Sequence, residues 1–354
     1  MRITPRRSAN TARRYYAEET IKPWSGFSVW GTLDIPIGRS LSWNDSRFLF
    51  KGIHPDTKEP LTRTKKGVRR SGWDLTFVAP KSVSILWGLA DDNMREEIEE
   101  AHVKAVISGL SVLAEKAVYV RWHEDSPGPI YHGGFIFNHG LTRYGDPHLH
   151  THAYLLNMGW LDDIGVWRAI NLDAKWSRAS RDFYLMEFAW HLVNKGFVLN
   201  KRRSNGFGVE CLRFLEKTFS RAHEEAWSTQ GMTEQRWRMV KKEKDLTLGF
   251  DRMRSRWLTR AIKAGLDPDI LRPEQVKQKN VSGTVSASDV YSLSKRARHE
   301  AHVWHHAAMV GMGKAPSKKA REVGEEVYGM IFDKEGNNKY LRPEKFRQHL
   351  SIPD

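Results

Sequence analysis

The segment Phe137-Asn-His-Gly-Leu-Thr-Arg-Tyr-Gly-Asp-Pro-His-Leu-His-Thr-His-Ala-Tyr-Leu-Leu-Asn157 constrains the fold more than any other stretch of the chain. Gly133 to Leu141 and His148 to Asn157 are apolar-rich, and Arg143-Tyr-Gly-Asp-Pro147 between them has turn chemistry, so the segment predicts a β-hairpin. A turn centred between Tyr144 and Gly145 sets His139 opposite His150, on strands about 4.8 Å apart. His152 shares a face with His150, because strand side chains alternate with period two. Three imidazoles then converge on one patch of one sheet face. A three-histidine ligand set leaves coordination positions open, as catalytic rather than structural sites do. The plain alternative is a half-exposed strand that happens to carry several histidines; the convergence of three favours a metal site. His148 has the same parity as His150 and His152 but lies nearer the turn, and the pattern alone leaves its part in the cluster open.

The chain has 354 residues, enough for one large domain or two modest ones. Lys and Arg number 57 against 42 Asp and Glu, a formal net charge of +15 with a pI near 9.8. That balance suits a polyanionic partner. A membrane is the weaker choice, since no apolar run approaches the roughly 20 residues needed to span a bilayer. Met1-Arg-Ile-Thr-Pro-Arg-Arg-Ser8 is basic but lacks the apolar stretch of a secretory signal. Cys211 is the sole cysteine, so no intrachain disulfide forms and the reducing cytoplasm is the expected compartment. Nucleic acid is the expected partner. The 14 Trp, 10 Tyr and 15 Phe suit it, because aromatics beside Arg and Lys, as in Arg236-Trp-Arg238 and Arg254-Ser-Arg-Trp257, can stack on unpaired bases. Each stack is worth about 1–3 kcal/mol, although for any one Trp a place in the core is the default.

Along the chain, residues 1 to 22 are polar and basic, and residues 25 to 70 are turn-rich, ending in Arg63-Thr-Lys-Lys-Gly-Val-Arg-Arg70. Trp73-Asp-Leu-Thr-Phe-Val78 alternates like a strand, and Ala79-Pro80 breaks it. Lys81 to Leu89 reads as a buried helix or strand, between which periodicity does not decide. Asp91 to Glu115 carries Ile98, Ala101, Ala105, Leu110 and Leu113 at helical spacing. Ala117 to Trp122 is β-like, Ile164 to Arg168 predicts a strand, and Arg178 to Lys195 a helix stopped by Gly196. The fold class expected is α+β: an antiparallel, palm-like sheet flanked by helices, with a mostly helical basic C-terminal portion. The expected division is a first domain over residues 1–230, which carries the hairpin, and a helical basic region over 231–354, with a linker-like stretch near 281–289.

Tyr15-Tyr16, then Asp74 in Trp-Asp-Leu-Thr-Phe-Val-Ala-Pro-Lys-Ser-Val-Ser84, then His139, His150 and His152 follow in that order. Together they resemble the conjugative relaxases of the TraI/TrwC (MobF) type, within the HUH endonuclease superfamily. The eleven-residue step from His139 to His150 fits that family's three-histidine pattern, and Trp167-Arg168 and Phe219-Ser-Arg221 are similar to its later part. The resemblance covers roughly residues 10 to 225. It implies metal-dependent transesterification at a specific site on single-stranded DNA of a plasmid or mobile-element transfer origin. Tyr15 becomes linked to the 5′-phosphate, a 3′-hydroxyl is left free, and reversal reseals the strand. Tyr16 is adjacent and its participation stays open. Asp74 matches the acidic residue that orients the first histidine of the trio, and is expected on His139. The implied partners are origin DNA with an adjacent duplex or hairpin, and other transfer-apparatus proteins.

The residue types make independent sense. A tyrosine ester conserves bond energy for resealing, whereas water would hydrolyse irreversibly. The phenol, with an unperturbed pKa near 10, needs help at neutral pH, and a divalent cation supplies it by polarising phosphoryl oxygens. Three imidazoles are compatible with Zn, Mn, Co or Ni; Mg is an unusual match that the resemblance permits. Arg13, Arg14, Arg69, Arg70, Lys81 and Arg168 are candidate DNA contacts. Two features depart from the family: the next tyrosine after Tyr16 is Tyr119, and the chain has no Gly-x-x-x-x-Gly-Lys-[Ser/Thr] phosphate loop for a helicase. A stand-alone relaxase, or the nicking portion of something longer, is therefore expected. Three rivals remain: a rolling-circle replication initiator, whose tyrosine typically follows the histidine motif; a non-catalytic single-stranded DNA-binding module; and a zinc hydrolase using metal-bound water.

Overall fold

The computed structural model describes residues 1–6, 27–62, 70–120, 130–142, 145–202, 206–220 and 249–277. Five strands form its central antiparallel pairings: β1 (Arg2–Arg6), β2 (Phe27–Gly31), β3 (Gly72–Val78), β4 (Gly133–Leu141) and β5 (Pro147–Leu156). Their spatial order is β1-β3-β5-β4-β2. The hairpin expected from the sequence is β4–β5, and its register holds: His139 pairs with His150 and Phe137 with His152. The register slips by one residue between His139 and Leu141, which pairs with Pro147. Gly140 sits in that irregularity, where a Cβ would lie 2.1 Å from the buried Trp87 ring. Gly145 at φ +77° then turns the chain, a conformation glycine adopts without steric cost.

Alternation decides what each face of this sheet meets. Leu149, Ala153 and Leu155 of β5, Leu75 and Phe77 of β3 and Ile136 of β4 join one core. Helices α1 (Lys81–Leu89), α2 (Asp92–Lys116) and α3 (Ser177–Asn194) also feed that core, through residues such as Val83, Ile98 and Phe188. On the opposite face, Phe135, Phe137, Tyr154 and Leu156 pack with Leu33, Ile37, Leu49 and Phe50, in or capping two single-turn helices, Asp34–Ile37 and Ser46–Leu49. The sheet is thus covered on both sides. Along this second face β5 runs His148, His150, His152, Tyr154, Leu156. The apolar layer gives way to imidazoles toward the hairpin turn.

The ambiguous Lys81–Leu89 segment is the helix α1, started by Pro80. It is buried nearly all round, which erased the amphipathic signal. Its hydroxyls tie it to neighbours: Leu149 N donates to Ser84 Oγ at 3.2 Å and Val209 N to Ser82 Oγ at 3.0 Å. Of the expected strand Ala117–Trp122, Val118–Tyr119 is a strand and residues 121 and 122 lie outside the described residues, while Val166–Arg168 joins a separate three-stranded sheet.

Residues beyond the expected boundary at 230 contribute to the main core. Helix α4 (Phe250–Lys263) places Phe250, Met253, Trp257 and Ala261 in the main core, and Leu266 and Val276 follow them there. The apolar positions recur at i, i+3, i+7 and i+11, a helical stripe diluted by five Arg and Lys. The linker-like stretch 281–289 lies outside the described residues.

Candidate metal centre

Pairing across β4 and β5 brings the His139, His150 and His152 rings into a near-equilateral triangle, with centroids 5.2, 5.0 and 5.2 Å apart. One donor nitrogen from each lies within 4.8 Å of the others, and all three residues are buried. The rings are also oriented. His150 Nδ1 lies 2.7 Å from the His148 carbonyl oxygen, which can only accept, so Nδ1 carries the proton. His152 Nδ1 lies 2.7 Å from Asp74 Oδ1, a carboxylate that likewise accepts. Both rings therefore keep the Nε2 lone pair for a cation, the tautomer that such backing groups select at metal-binding histidines. These donors fit a divalent transition ion. His148 stands outside the cluster; its ring lies against His150 at 4.7 Å, and its carbonyl is what orients that residue.

Asp74 reaches His152 and not His139. The strand order explains the correction: β5 lies between β3 and β4, so Asp74 is one strand from His152 and two from His139. Asp74 pairs with Tyr154, which sets its side chain diagonal to His152 on the same face. Its other oxygen accepts from Arg6 on the outer strand β1. Burial is the largest influence on Asp74 and opposes its charge, yet His152 and then Arg6 hold the carboxyl well below the usual range. Arg6 went unnoticed in the sequence. The alternation Arg2, Thr4, Arg6 in an edge strand was the signal, legible once Thr4 pairs with Asp74.

A second polar chain backs the trio from the opposite face. Thr151 Oγ1 donates to Asn138 Oδ1 at 2.6 Å, so His102 Nε2 donates to Thr151 at 2.8 Å and Tyr184 donates to His102 Nδ1 at 2.9 Å. Burial holds the His102 pKa down to about 3, keeping it neutral. The chain links α2 and α3 to the two strands at residues adjoining the three histidines.

The remaining candidates are dispersed. Tyr15, Tyr16, Arg13, Arg14 and Arg69 lie outside the described residues. Arg70 stacks its guanidinium 5.4 Å over Trp73, at the end of β3 away from the histidines. Arg168 lies in the three-stranded sheet and donates to the Trp167 carbonyl at 3.0 Å. Lys81 is partly buried, donating to Pro147 O at 3.1 Å, with burial pushing its ammonium pKa down. Its ammonium ties α1 to the hairpin.

The family model for TrwC relaxase matches residues 5–264. Among solved structures, a conjugative relaxase TrwC in complex with oriT DNA, in copper-bound form, is 26% identical with a TM-score of 0.63. The match covers 75% of this chain and 99% of that one. TrwC complexed with a 27-mer DNA comprising the recognition hairpin and the cleavage site superposes with a TM-score of 0.59 at 26% identity, with the same coverage. The multifunctional conjugation protein TraI of Escherichia coli K12 is 28% identical over 186 residues, 49% of this chain. The chain spans about 10% of the length of that relative.

Proposed function

The chain belongs to the TrwC relaxase family, and on that premise we propose that it nicks and rejoins one DNA strand at a transfer origin through a tyrosine ester. The observation that carries the reading is the buried histidine trio, with two rings fixed by the His148 carbonyl and the Asp74 carboxylate. A divalent cation held by His139, His150 and His152 would polarise the phosphoryl oxygens and neutralise charge as it develops in line. The chain's own groups do the rest. Asp74 and the His148 carbonyl keep the imidazoles in the ligating tautomer, and the apolar layer of Phe137 and Tyr154 walls the trio on its sheet face.

Tyr15 supplies the nucleophile in this reading: its Oη bonds to phosphorus, the bond to the 3′-oxygen breaks, and resealing reverses both. Support comes from the anchors of its segment. Arg6 rests on Asp74, and Phe27 pairs with Phe137, which itself faces His152. Tyr15 lies nine positions after Arg6, and an extended chain covers at most about 30 Å in that length. The substrate is single-stranded origin DNA, with a flanking duplex or hairpin and transfer-apparatus proteins as partners. The cytoplasm is the proposed compartment; among the described residues no helix is long and apolar enough to cross a membrane.

The test is incubation with labelled single-stranded DNA from the origin of the element encoding the protein, with Mn²⁺ or Mg²⁺. A denaturant-resistant protein–DNA adduct is expected, lost on chelation, restored by metal and absent in Tyr15→Phe. An undiminished adduct in Tyr15→Phe refutes the nucleophile, and cleavage with no adduct at all supports metal-bound water instead.

A further inference from the structure

We propose that the outer face of α4 is a second DNA contact, a phosphate rail that grips the sugar-phosphate backbone beside the catalytic hairpin. The inference rests on the relaxase reading and extends it to a surface that the histidine trio does not include. This face is a shallow, open surface formed by Ser255, Arg256, Thr259, Arg260 and Lys263. The hydroxyls of Ser255 and Thr259 fold back onto carbonyls of the preceding turn, which keeps the floor low between the cations.

The charge pattern is not that of an ordinary solvated helix. Arg252, Arg256 and Arg260 recur every four residues, with Lys263 next, and Asp251 is the helix's one acid. Like charges at that spacing weaken a helix. The exposed face of α2 shows what this chain does elsewhere: Arg95 pairs with Asp92 at 2.9 Å and Lys104 with Glu100 at 2.5 Å. Among the described residues no carboxylate forms an ion pair with Arg252, Arg256 or Lys263. With Arg260 alone paired, to Asp146, a surface that leaves these three cations uncompensated is complementary to a polyanion.

The rail is rigidly joined to the site. Trp257 Nε1 donates to Gly145 O at 2.7 Å and Arg260 to Asp146 Oδ1 at 2.6 Å, both in the turn that joins the two histidine strands. His150 follows Gly145 by five residues, about 16 Å of strand. Helix α4 packs on the sheet face opposite the trio, so a DNA strand that meets both passes around the hairpin turn to which α4 is tied.

The test measures binding of a fluorescein-labelled mixed-sequence single-stranded oligonucleotide to the full chain, by anisotropy across a salt series. Arg256→Gln/Lys263→Gln should lower the slope of log K against log salt by about 1.4, since each single-strand phosphate contact contributes about 0.7. The wild-type protein should then lose about sevenfold more affinity than the variant between roughly 50 and 200 mM salt. Lys104→Gln/Lys195→Gln removes the same charge from ammoniums already paired with Glu100, and should leave the slope unchanged. An unchanged slope in Arg256→Gln/Lys263→Gln overturns the proposal, and so does an equal fall in both variants. A wild-type protein that binds no DNA and forms no adduct refutes the relaxase reading itself, a different result from either.

Discussion

Asp74 spends its two oxygens in opposite directions, Oδ1 on the His152 ring and Oδ2 on the Arg6 guanidinium, from a position that is 1% exposed. Asp74→Asn keeps the shape but cannot serve both donors. Whichever way the amide turns, its NH₂ faces either the His152 Nδ1–H or the guanidinium. If it faces His152, the ring loses its orientation and its basicity as a ligand. Metal affinity is expected to fall about 10–100-fold, the range for losing such a backing group. Titration with Co²⁺, read by its visible absorption, checks this, and an unchanged affinity would show that His148 and the fold alone suffice to set the trio. That Asp74 belonged to the site was legible from its motif. Its partner was not, because strand order is decided by chain elements far apart in sequence, and a hairpin read locally says nothing about which of its two strands faces β3.

The β4–β5 hairpin was the element most fully readable. Its parity and the opposition of His139 to His150 are local properties, and the structure keeps both. The support behind it was not readable, since His102 sits among the apolar positions of α2 and looks like a core residue. Its role depends on Tyr184 arriving from α3 and Thr151 from β5. The consequence is a pH dependence with a definite sign. His102 is held neutral with a folded pKa of about 3, against about 6.5 when unfolded. Its contribution to stability is complete above pH 6.5 and is lost as pH falls from there toward 3. At pH 5 the loss is about 2 kcal/mol relative to pH 7.5. Urea denaturation at both pH values should show a drop smaller by about that amount in His102→Gln than in the wild-type protein. Equal drops would place the acid sensitivity elsewhere, for instance at His132, whose burial also lowers its pKa.

At the scale of the whole molecule, composition announced a polyanion partner, and the packing carries the core past residue 230. The stretch after residue 230 reads as charged and helical, which suggested an appendage. The apolar stripe of α4 is sparse, yet each of its members lands on the core: Trp257 lies against Trp87 and Phe250, and its indole satisfies the Gly145 carbonyl. Gly88 of α1 leaves room for that contact, since a Cβ there would come within 3.1 Å of the Trp257 ring. A chain ending at residue 230 would strip α4 from Trp87 and leave the buried Asp146 without Arg260. Such a chain is expected to lose cooperative unfolding and adduct formation together, whereas one ending at residue 277 should keep both. Trp257→Ala in the full chain should cost about 3–5 kcal/mol, the usual range for a large aromatic removed from a core. Thermal melts followed by near-ultraviolet circular dichroism separate the cases. A 1–230 fragment melting as sharply and at the same temperature as the full chain would show that α4 is an ornament on the nicking domain and not part of what holds its hairpin.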